Sequence, residues 1–214
     1  MFAIVCALEA ELVHLRRRLD RPPQPARAGR RRVELGQLGG QPVVLVCCGV
    51  GMTSAAALTE AVLSDYEPGA VINYGCAGAH RRDLLPGDVV VADAVVAYDA
   101  LRVDPDGVEH FWAMHFLAEE ASGSAQRDVD ELATDAELRR AAALIAPRLG
   151  DGLDPWPSGL GAPTLAASRA PRIVTGTVCS ANRWNRSHER IDGLVRRFGS
   201  SCEDMEAAAV GLVC

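Results

Sequence analysis

The chain predicts an α/β fold, a three-layer α/β/α sandwich around a central, mixed and largely buried sheet. Three observations carry that expectation. Short continuous apolar runs alternate with stretches of helical periodicity, glycine turns sit at the ends of two runs, and 49% hydrophobic content in 214 residues suffices for one sizeable core. The expectation is therefore a single domain over residues 1–214.

Taken in order, residues 2 to 7 form the first apolar run, and Leu8, Leu12, Leu15 and Leu19 follow at helical spacing, which reads as strand then helix. Arg21 to Arg32, rich in proline and arginine, reads as a solvated loop. Val33 to Leu38 and Pro42 to Cys48 make a hairpin around Gly39-Gly40, and Gly49-Val50-Gly51 turns the second strand into a helix beginning near Thr53. Ala70 to Tyr74 is a further buried strand, left through Gly75-Cys76-Ala77-Gly78. Asp88 to Tyr98, valine-rich, has the pattern of a central strand. Residues 101 to 132 and 150 to 171 read as long excursions flanking a helix at about 133 to 148, the kind of segment used for lids or interfaces. The last stretch, Cys202 to Cys214, carries apolar residues at 205, 208, 209, 212 and 213 and reads as an amphipathic helix. It lacks a glycine, asparagine or proline stop, so the predicted fold ends one element early.

Composition narrows the function classes. A formal charge of −6 argues against nucleic acid as a partner, although all 22 basic residues are arginine. Seven cysteines (6, 47, 48, 76, 179, 202 and 214) include no CxxC pair, and their odd number does not suggest a disulfide framework; a reducing cytoplasm is the expected setting. The apolar N-terminus has no basic leader and meets Glu9 and Glu11 at once, so it does not read as a signal peptide. No apolar run approaches the ~20 residues that cross a bilayer, so no membrane role is expected. The histidines at 14, 80, 110, 115 and 188 form no zinc-binding spacing, and neither a metal nor a cofactor is implied.

Three features could carry chemistry. The Gly49-Val50-Gly51 turn stands at a strand-to-helix junction, where free N–H groups favour anions. It matches neither a dinucleotide fingerprint nor a P-loop, and a plain tight connection explains it equally well. The loop Cys76-Ala77-Gly78 shares that ambiguity. Glu11 and Glu206 fall in first helical turns and could face the crevice at the strands' carboxyl ends, as a base for water or a grip for a sugar diol. The helix macrodipole alone also favours acids there, and periodicity does not choose between the two accounts. Cys76 reads as a buried, inert thiol.

These segments, in this order and across nearly the whole chain, resemble the nucleoside phosphorylase/nucleosidase superfamily, and within it the 5′-methylthioadenosine/S-adenosylhomocysteine nucleosidases. Ala7-Leu8-Glu9-Ala10-Glu11 resembles the family's first strand-turn, Asn73-Tyr74-Gly75-Cys76-Ala77-Gly78 its Asn-x-Gly-Ser-Ala-Gly segment with cysteine in place of serine, and Pro86-Gly87-Asp88-Val89-Val90 its Gly-Asp turn into a strand. Ser180-Ala181-Asn182-Arg183-Trp184 is similar to the base-facing segment, and Asp204-Met205-Glu206 to the ribose-binding Glu/Asp-Met-Glu.

The resemblance implies hydrolysis of the N-glycosidic bond of adenine-type 5′-modified nucleosides without a cofactor. Glu11 would activate water, Met205 and Glu206 would hold the ribose with Asp204 in support, and Ser180, Asn182 and Trp184 would face the base. Gly49, Val50, Gly51, Cys76, Ala77 and Gly78 would form the glycine loops. It also implies a homodimer, with Phe111 and Trp112 as candidates to reach a neighbour's site or to serve as core. Purine nucleoside phosphorylase and futalosine hydrolase relatives are the neighbouring readings; Arg81 and Arg82 keep phosphorolysis open, whereas a glutamate at 11 would repel phosphate. The family's acid for the leaving base stands on the strand after the Met-Glu helix. The expectation is thus a fold lacking its last strand and helix, with negligible turnover from the 214-residue chain, and an inactive nucleoside-binding or oligomer-forming remnant as the reading from another class.

Overall fold

The computed structural model describes residues 1–112, 114–120, 123–150 and 169–214. In chain order the elements are β1 (Phe2–Cys6), α1 (Glu9–Arg18), β2 (Gln24–Ala28), β3 (Arg31–Leu38), β4 (Gln41–Cys47), α2 (Met52–Tyr66) and β5 (Ala70–Asn73). There follow β6 (Gly78–Ala79), β7 (Val89–Ala97), β8 (Leu101–Val103), β9 (Glu109–Phe111), β10 (Met114–Glu120), β11 (Gly123–Val129), β12 (Leu132–Ala133) and α3 (Ala136–Gly150). The chain closes with β13 (Ile173–Ser180), α4 (His188–Phe198), β14 (Ser200–Asp204) and α5 (Ala207–Val213). It forms two compact units, one of Met1–Cys76, Ser180–Arg183 and Asp204–Cys214, the other of Ala77–Cys179 and Trp184–Glu203.

In the first unit a five-stranded sheet has the order β2-β3-β4-β1-β5, antiparallel on the β2 side and parallel from β4 through β5. Alternate residues of β1 and β4 feed two different cores, as the period of two in a strand requires. Ala3, Val5, Val44 and Val46 pack with Ala55, Leu58 and Val62 of α2 and with Ala209 and Val210 of α5. Ile4, Cys6, Val43 and Leu45 pack with Leu12, Leu15 and Leu19 of α1 on the other face. Within this unit the expected three layers are present, and a sheet buried on both faces explains why its central strands read as continuous apolar runs.

The arginine-rich segment differs from expectation. Arg21 to Arg32 is not simply a loop, because Gln24–Ala28 pairs antiparallel with β3. Proline at 25 is tolerated there because the strand is at the sheet's edge. Asp65 and Tyr66 at the end of α2 secure it, through Gly29 N–H to Asp65 at 2.6 Å and the Tyr66 hydroxyl to the Arg27 carbonyl at 2.6 Å. The β3–β4 turn has positive φ at Gly39 and Gly40, and Asp20 accepts both N–H groups at 3.1 and 2.7 Å.

In the second unit the sheet order is β12-β7-β13-β14-β6. The long excursion of 101 to 132 is built from two hairpins, β8–β9 and β10–β11, before β12 pairs with β7. Phe111 meets Phe198 of α4 edge to face at 5.1 Å, with the Arg197 guanidinium 5.0 Å over its ring, so it packs within this unit. Of the second excursion, 151–168 lies outside the described residues. No helix among the described residues is long and apolar enough to cross a membrane.

The C-terminal segment also departs from its sequence pattern. Residues 200 to 204 continue as β14, and the helix starts only at Ala207, because the Asp204 carboxylate accepts the Ala207 N–H at 2.9 Å and so caps it. Glu206 is therefore the N-cap residue rather than part of the first turn.

Asp88, at the start of β7, is the polar anchor of the second unit. Its side chain is 2% exposed, accepts from Leu85 N–H and Arg172 N–H, and pairs with the Arg169 guanidinium at 2.7 Å. The Arg169 hydrogen bond, followed by the two backbone donors, holds its carboxyl well below the usual range against the opposing effect of burial. A depressed folded-state value means that the stabilisation is full above the unfolded value of about 4 and is lost as the pH falls toward the folded one. Asp88→Asn is expected to cost about 2 kcal/mol at neutral pH, and the gap to wild type should narrow from pH 5 to pH 2 in urea titrations; a gap that is constant or widens refutes the assignment.

Candidate active site

The residues singled out in the first unit converge on the carboxyl ends of β1, β4 and β5. Glu11, the third residue of α1, folds its side chain back over the helix start. Oε2 accepts Ala7 N–H at 3.0 Å and Leu8 N–H at 2.9 Å, and Oε1 accepts Cys76 N–H at 2.9 Å. This is half of a capping box. The other half is missing because Leu8 offers no side-chain acceptor, and Glu11 N–H bonds only to the Leu8 carbonyl at 3.0 Å. Three backbone donors, one from a different strand end, thus fix the carboxylate of a half-buried glutamate. Gly75 leaves room for this approach, since a Cβ there would stand 2.8 Å from Glu11 Oε1 and displace the carboxylate. The Cys76 thiol is exposed, contrary to expectation. Partial desolvation and then the nearby Glu11 charge push its pKa up, so it remains an S–H group.

Glu206 occupies the other glycine turn. Its Oε1 accepts Gly51 N–H at 2.6 Å, and Asn182 Oδ1 accepts Met52 N–H at 2.9 Å. The N-cap N–H of α2 thus holds a carboxylate of the chain itself, and the Met52 N–H, the first of the helix, is taken by the Asn182 amide oxygen. Gly51 has φ +99°, a conformation that side chains rarely adopt, and a Cβ there would lie 2.8 Å from Asn182 Oδ1. Gly49 shares the positive φ, at +85°, whereas Val50 is 53% exposed.

Electrostatically this group of acids favours protons. Burial raises the pKa of Glu206; the Gly51 N–H opposes this, and the charges of Asp204 and Glu11 raise it further. Asp204 is likewise raised by burial, against the pull of Ser180, Ala207 and Asn73. Its Oδ2 accepts Asn73 Nδ2 at 3.0 Å as well as Ala207 N–H, while its buried Oδ1 has no hydrogen-bond partner among the described residues. Ser180 is fully buried beside it, and Ala181 N–H reaches the Asp204 carbonyl at 3.2 Å. Met205, between the two acids, is half-buried.

Ala77, Gly78 and Trp184 belong to the second unit. Gly78 pairs with Glu203 in the β14–β6 ladder, and Trp184 is 81% exposed. The sequence reading missed the buried polar cluster that holds the segment after Trp184. Glu203 accepts Asn185 N–H at 2.9 Å, Asn185 Nδ2 at 2.6 Å and the Tyr98 hydroxyl at 2.8 Å, with His80 Nε2 at 3.4 Å. Burial works to raise the Glu203 pKa, but the His80, Asn185 and Tyr98 contacts outweigh it and bring the value to about 2. Asn73 was also missed as a side-chain contributor; a lone amide ending an apolar strand was the available signal. No group of three or more metal-ligating side chains is present among the described residues.

The sequence matches the family model described as the phosphorylase superfamily over residues 1–214. The chain belongs to the phosphorylase superfamily. A 5′-methylthioadenosine/S-adenosylhomocysteine nucleosidase of Shewanella sediminis is 35% identical over 213 residues, covering 99% of this chain and 78% of the relative. The crystal structure of the Neisseria meningitidis nucleosidase of that name, in complex with methylthio-immucillin-A, is similar with a TM-score of 0.73 at 25% identity, over 100% of this chain and 78% of the other. The fold is also similar to native futalosine hydrolase of Helicobacter pylori, with a TM-score of 0.74 at 20% identity over 100% and 77% of the two chains. The α/β architecture of this superfamily member thus agrees with the expected class.

Because Gly51 combines a positive φ with contact to Asn182, Gly51→Ala should lower stability by about 2 kcal/mol. Denaturant unfolding reads this directly, and a loss below about 0.5 kcal/mol would show that the turn is not constrained as described.

Proposed function

We propose that this phosphorylase-superfamily chain hydrolyses the N-glycosidic bond of adenine-type nucleosides modified at the 5′ position, the class named by its nucleosidase relatives. The observation that carries this reading is the pair of carboxylates, Glu11 and Glu206, each held by backbone N–H at the carboxyl ends of one sheet's strands, Glu11 by Ala7, Leu8 and Cys76 and Glu206 by Gly51. Glu11 takes a proton from water, and the water oxygen adds to C1′ of an oxocarbenium-like ribosyl group as the bond to the base breaks; the base leaves with the bonding electron pair and takes a proton from solvent. Glu206 accepts hydrogen bonds from the ribose 2′ and 3′ hydroxyls through the lone pairs that Gly51 leaves free, and Met205 packs on the sugar. Asp204 is committed to Ala207 and Asn73, which suits support of the turn rather than proton donation to the base.

Phosphorolysis fits less well. Phosphate would meet two carboxylates, and the Gly51 N–H at the start of α2 already holds one of them. Arg81, one of the two candidate cations, is turned onto Asp83 at 2.8 Å. Seven free cysteines support a reducing, cytoplasmic setting.

Glu11→Gln should reduce adenine release from methylthioadenosine by at least ~10²-fold while nucleoside affinity stays within about threefold. Glu206→Gln should weaken binding by about 10- to 100-fold. Because burial raises the Glu206 pKa, wild-type affinity should fall on acidification at a higher pH than an ordinary glutamate would give, and Glu206→Gln should lack that limb. Full activity of Glu11→Gln, or no adenine release by wild type, contradicts the proposal.

A further inference from the structure

The hydrogen-bond connections of the first unit single out a residue to which no role has been attached. Asn73 ends β5, and its backbone is registered against Val5 of β1, the strand that leads directly into the Ala7-Leu8 amides gripping Glu11. Tyr74 N–H extends that registration onto the Val5 carbonyl at 2.8 Å. The chain then turns through Gly75 to Cys76, whose N–H is the third donor to Glu11. The backbone of Asn73 therefore belongs to the Glu11 half of the site.

Its side chain belongs to the other half. Asn73 Nδ2 donates to Asp204 Oδ2 at 3.0 Å, and that same oxygen accepts the Ala207 N–H at 2.9 Å, the contact that starts α5. Glu206 stands between these two residues with φ −133° and ψ −35°, outside helical geometry, so the direction of its side chain depends on how the Asp204–Ala207 turn is held. No other hydrogen bond to the Asp204 carboxylate comes from β5. An amide suits position 73 because it donates without charge; a carboxylate there would add a like charge to an acid already raised by burial.

We propose that Asn73 is a positioning residue: through Asp204 it sets Glu206 relative to Glu11, so that the group holding the ribose diol and the group activating water keep a fixed separation. This rests on the nucleosidase reading given above, and it carries consequences of its own. Removal of the amide takes away the link from the Asp204 carboxylate to β5, leaving its Ala207 contact and the Ala181 N–H on the Asp204 carbonyl, and loosens the Glu206 to Gly51 hydrogen bond, while the α2 interior, packed through Leu58 and Thr59, is untouched.

The test uses Asn73→Leu, with Asn73→Ser as the less disruptive variant, in two measurements on the full chain. Amide hydrogen exchange should accelerate about tenfold at Gly51 and stay unchanged at Leu58 and Thr59. Calorimetric affinity for methylthioadenosine should fall about tenfold, that for its 2′,3′-dideoxy counterpart by less than twofold, and neither variant should add to the effect of Glu206→Gln. Unchanged exchange at Gly51, equal losses for the ribose and dideoxy compounds, or additivity with Glu206→Gln would overturn the proposal. If exchange at Gly51 accelerates as expected but wild type binds no nucleoside, the strut stands and the nucleosidase reading fails.

Discussion

The organisation of the first unit depends on one kind of interaction, the capture of a carboxylate by backbone N–H groups at a strand end. Asp65 on Gly29 and Asp20 on Gly39 and Gly40 secure turns in this way, and Glu206 on Gly51 and Glu11 on Ala7, Leu8 and Cys76 do so at the candidate site. Each of the latter two ties together segments distant in sequence, and each stands against a glycine, Gly51 with a φ of +99° and Gly75 where a Cβ would come within 2.8 Å of Glu11. Side chains are usually placed by packing; here the two acids are placed by donors that belong to the sheet's own framework, which keeps their geometry as rigid as β1, β4 and β5.

That arrangement has an electrostatic consequence. Glu11, Asp204 and Glu206 gather three acids in one region, and no cation among the described residues makes an ion pair with any of them. Burial raises Asp204 and Glu206, so part of their binding capacity is surrendered to protons as the pH falls. Glu203, one residue earlier, shows the opposite solution: three hydrogen bonds from Asn185 and Tyr98, with His80 Nε2 3.4 Å away, overcome its burial. Adjacent acids in one strand end thus have opposed environments. The satisfied one fixes the segment after Trp184, and the under-satisfied ones face the candidate chemistry.

Much of the first unit is legible in sequence because it is local. The β1 run followed by helical leucines, and Gly39-Gly40 at the hairpin, each encode their structure within a few residues. The edge strand β2 is not legible, since its pairing with β3 and its anchors Asp65 and Tyr66 lie elsewhere. The Cys202 to Cys214 segment misleads for a related reason. Its apolar spacing is helical throughout, but Ser200–Asp204 is committed to a sheet and Asp204 caps the helix two residues beyond the pattern's start at Met205. The site residues Glu11 and Glu206 could be named from their positions, yet their partners could not. Gly51 and Glu206 are 155 residues apart and Asn73 and Asp204 are 131 apart, beyond the reach of any periodicity.

The central claim is that these two captured carboxylates flank a bound nucleoside at its C1′ carbon. A crystal structure of this chain with a non-hydrolysable methylthioadenosine analogue tests it most directly. The account predicts the ribose 2′ and 3′ oxygens within hydrogen-bond distance of Glu206, about 2.5–3.0 Å, with an ordered water between Glu11 and C1′. A ribose bound away from Glu206, or a C1′ face turned from Glu11, would contradict it.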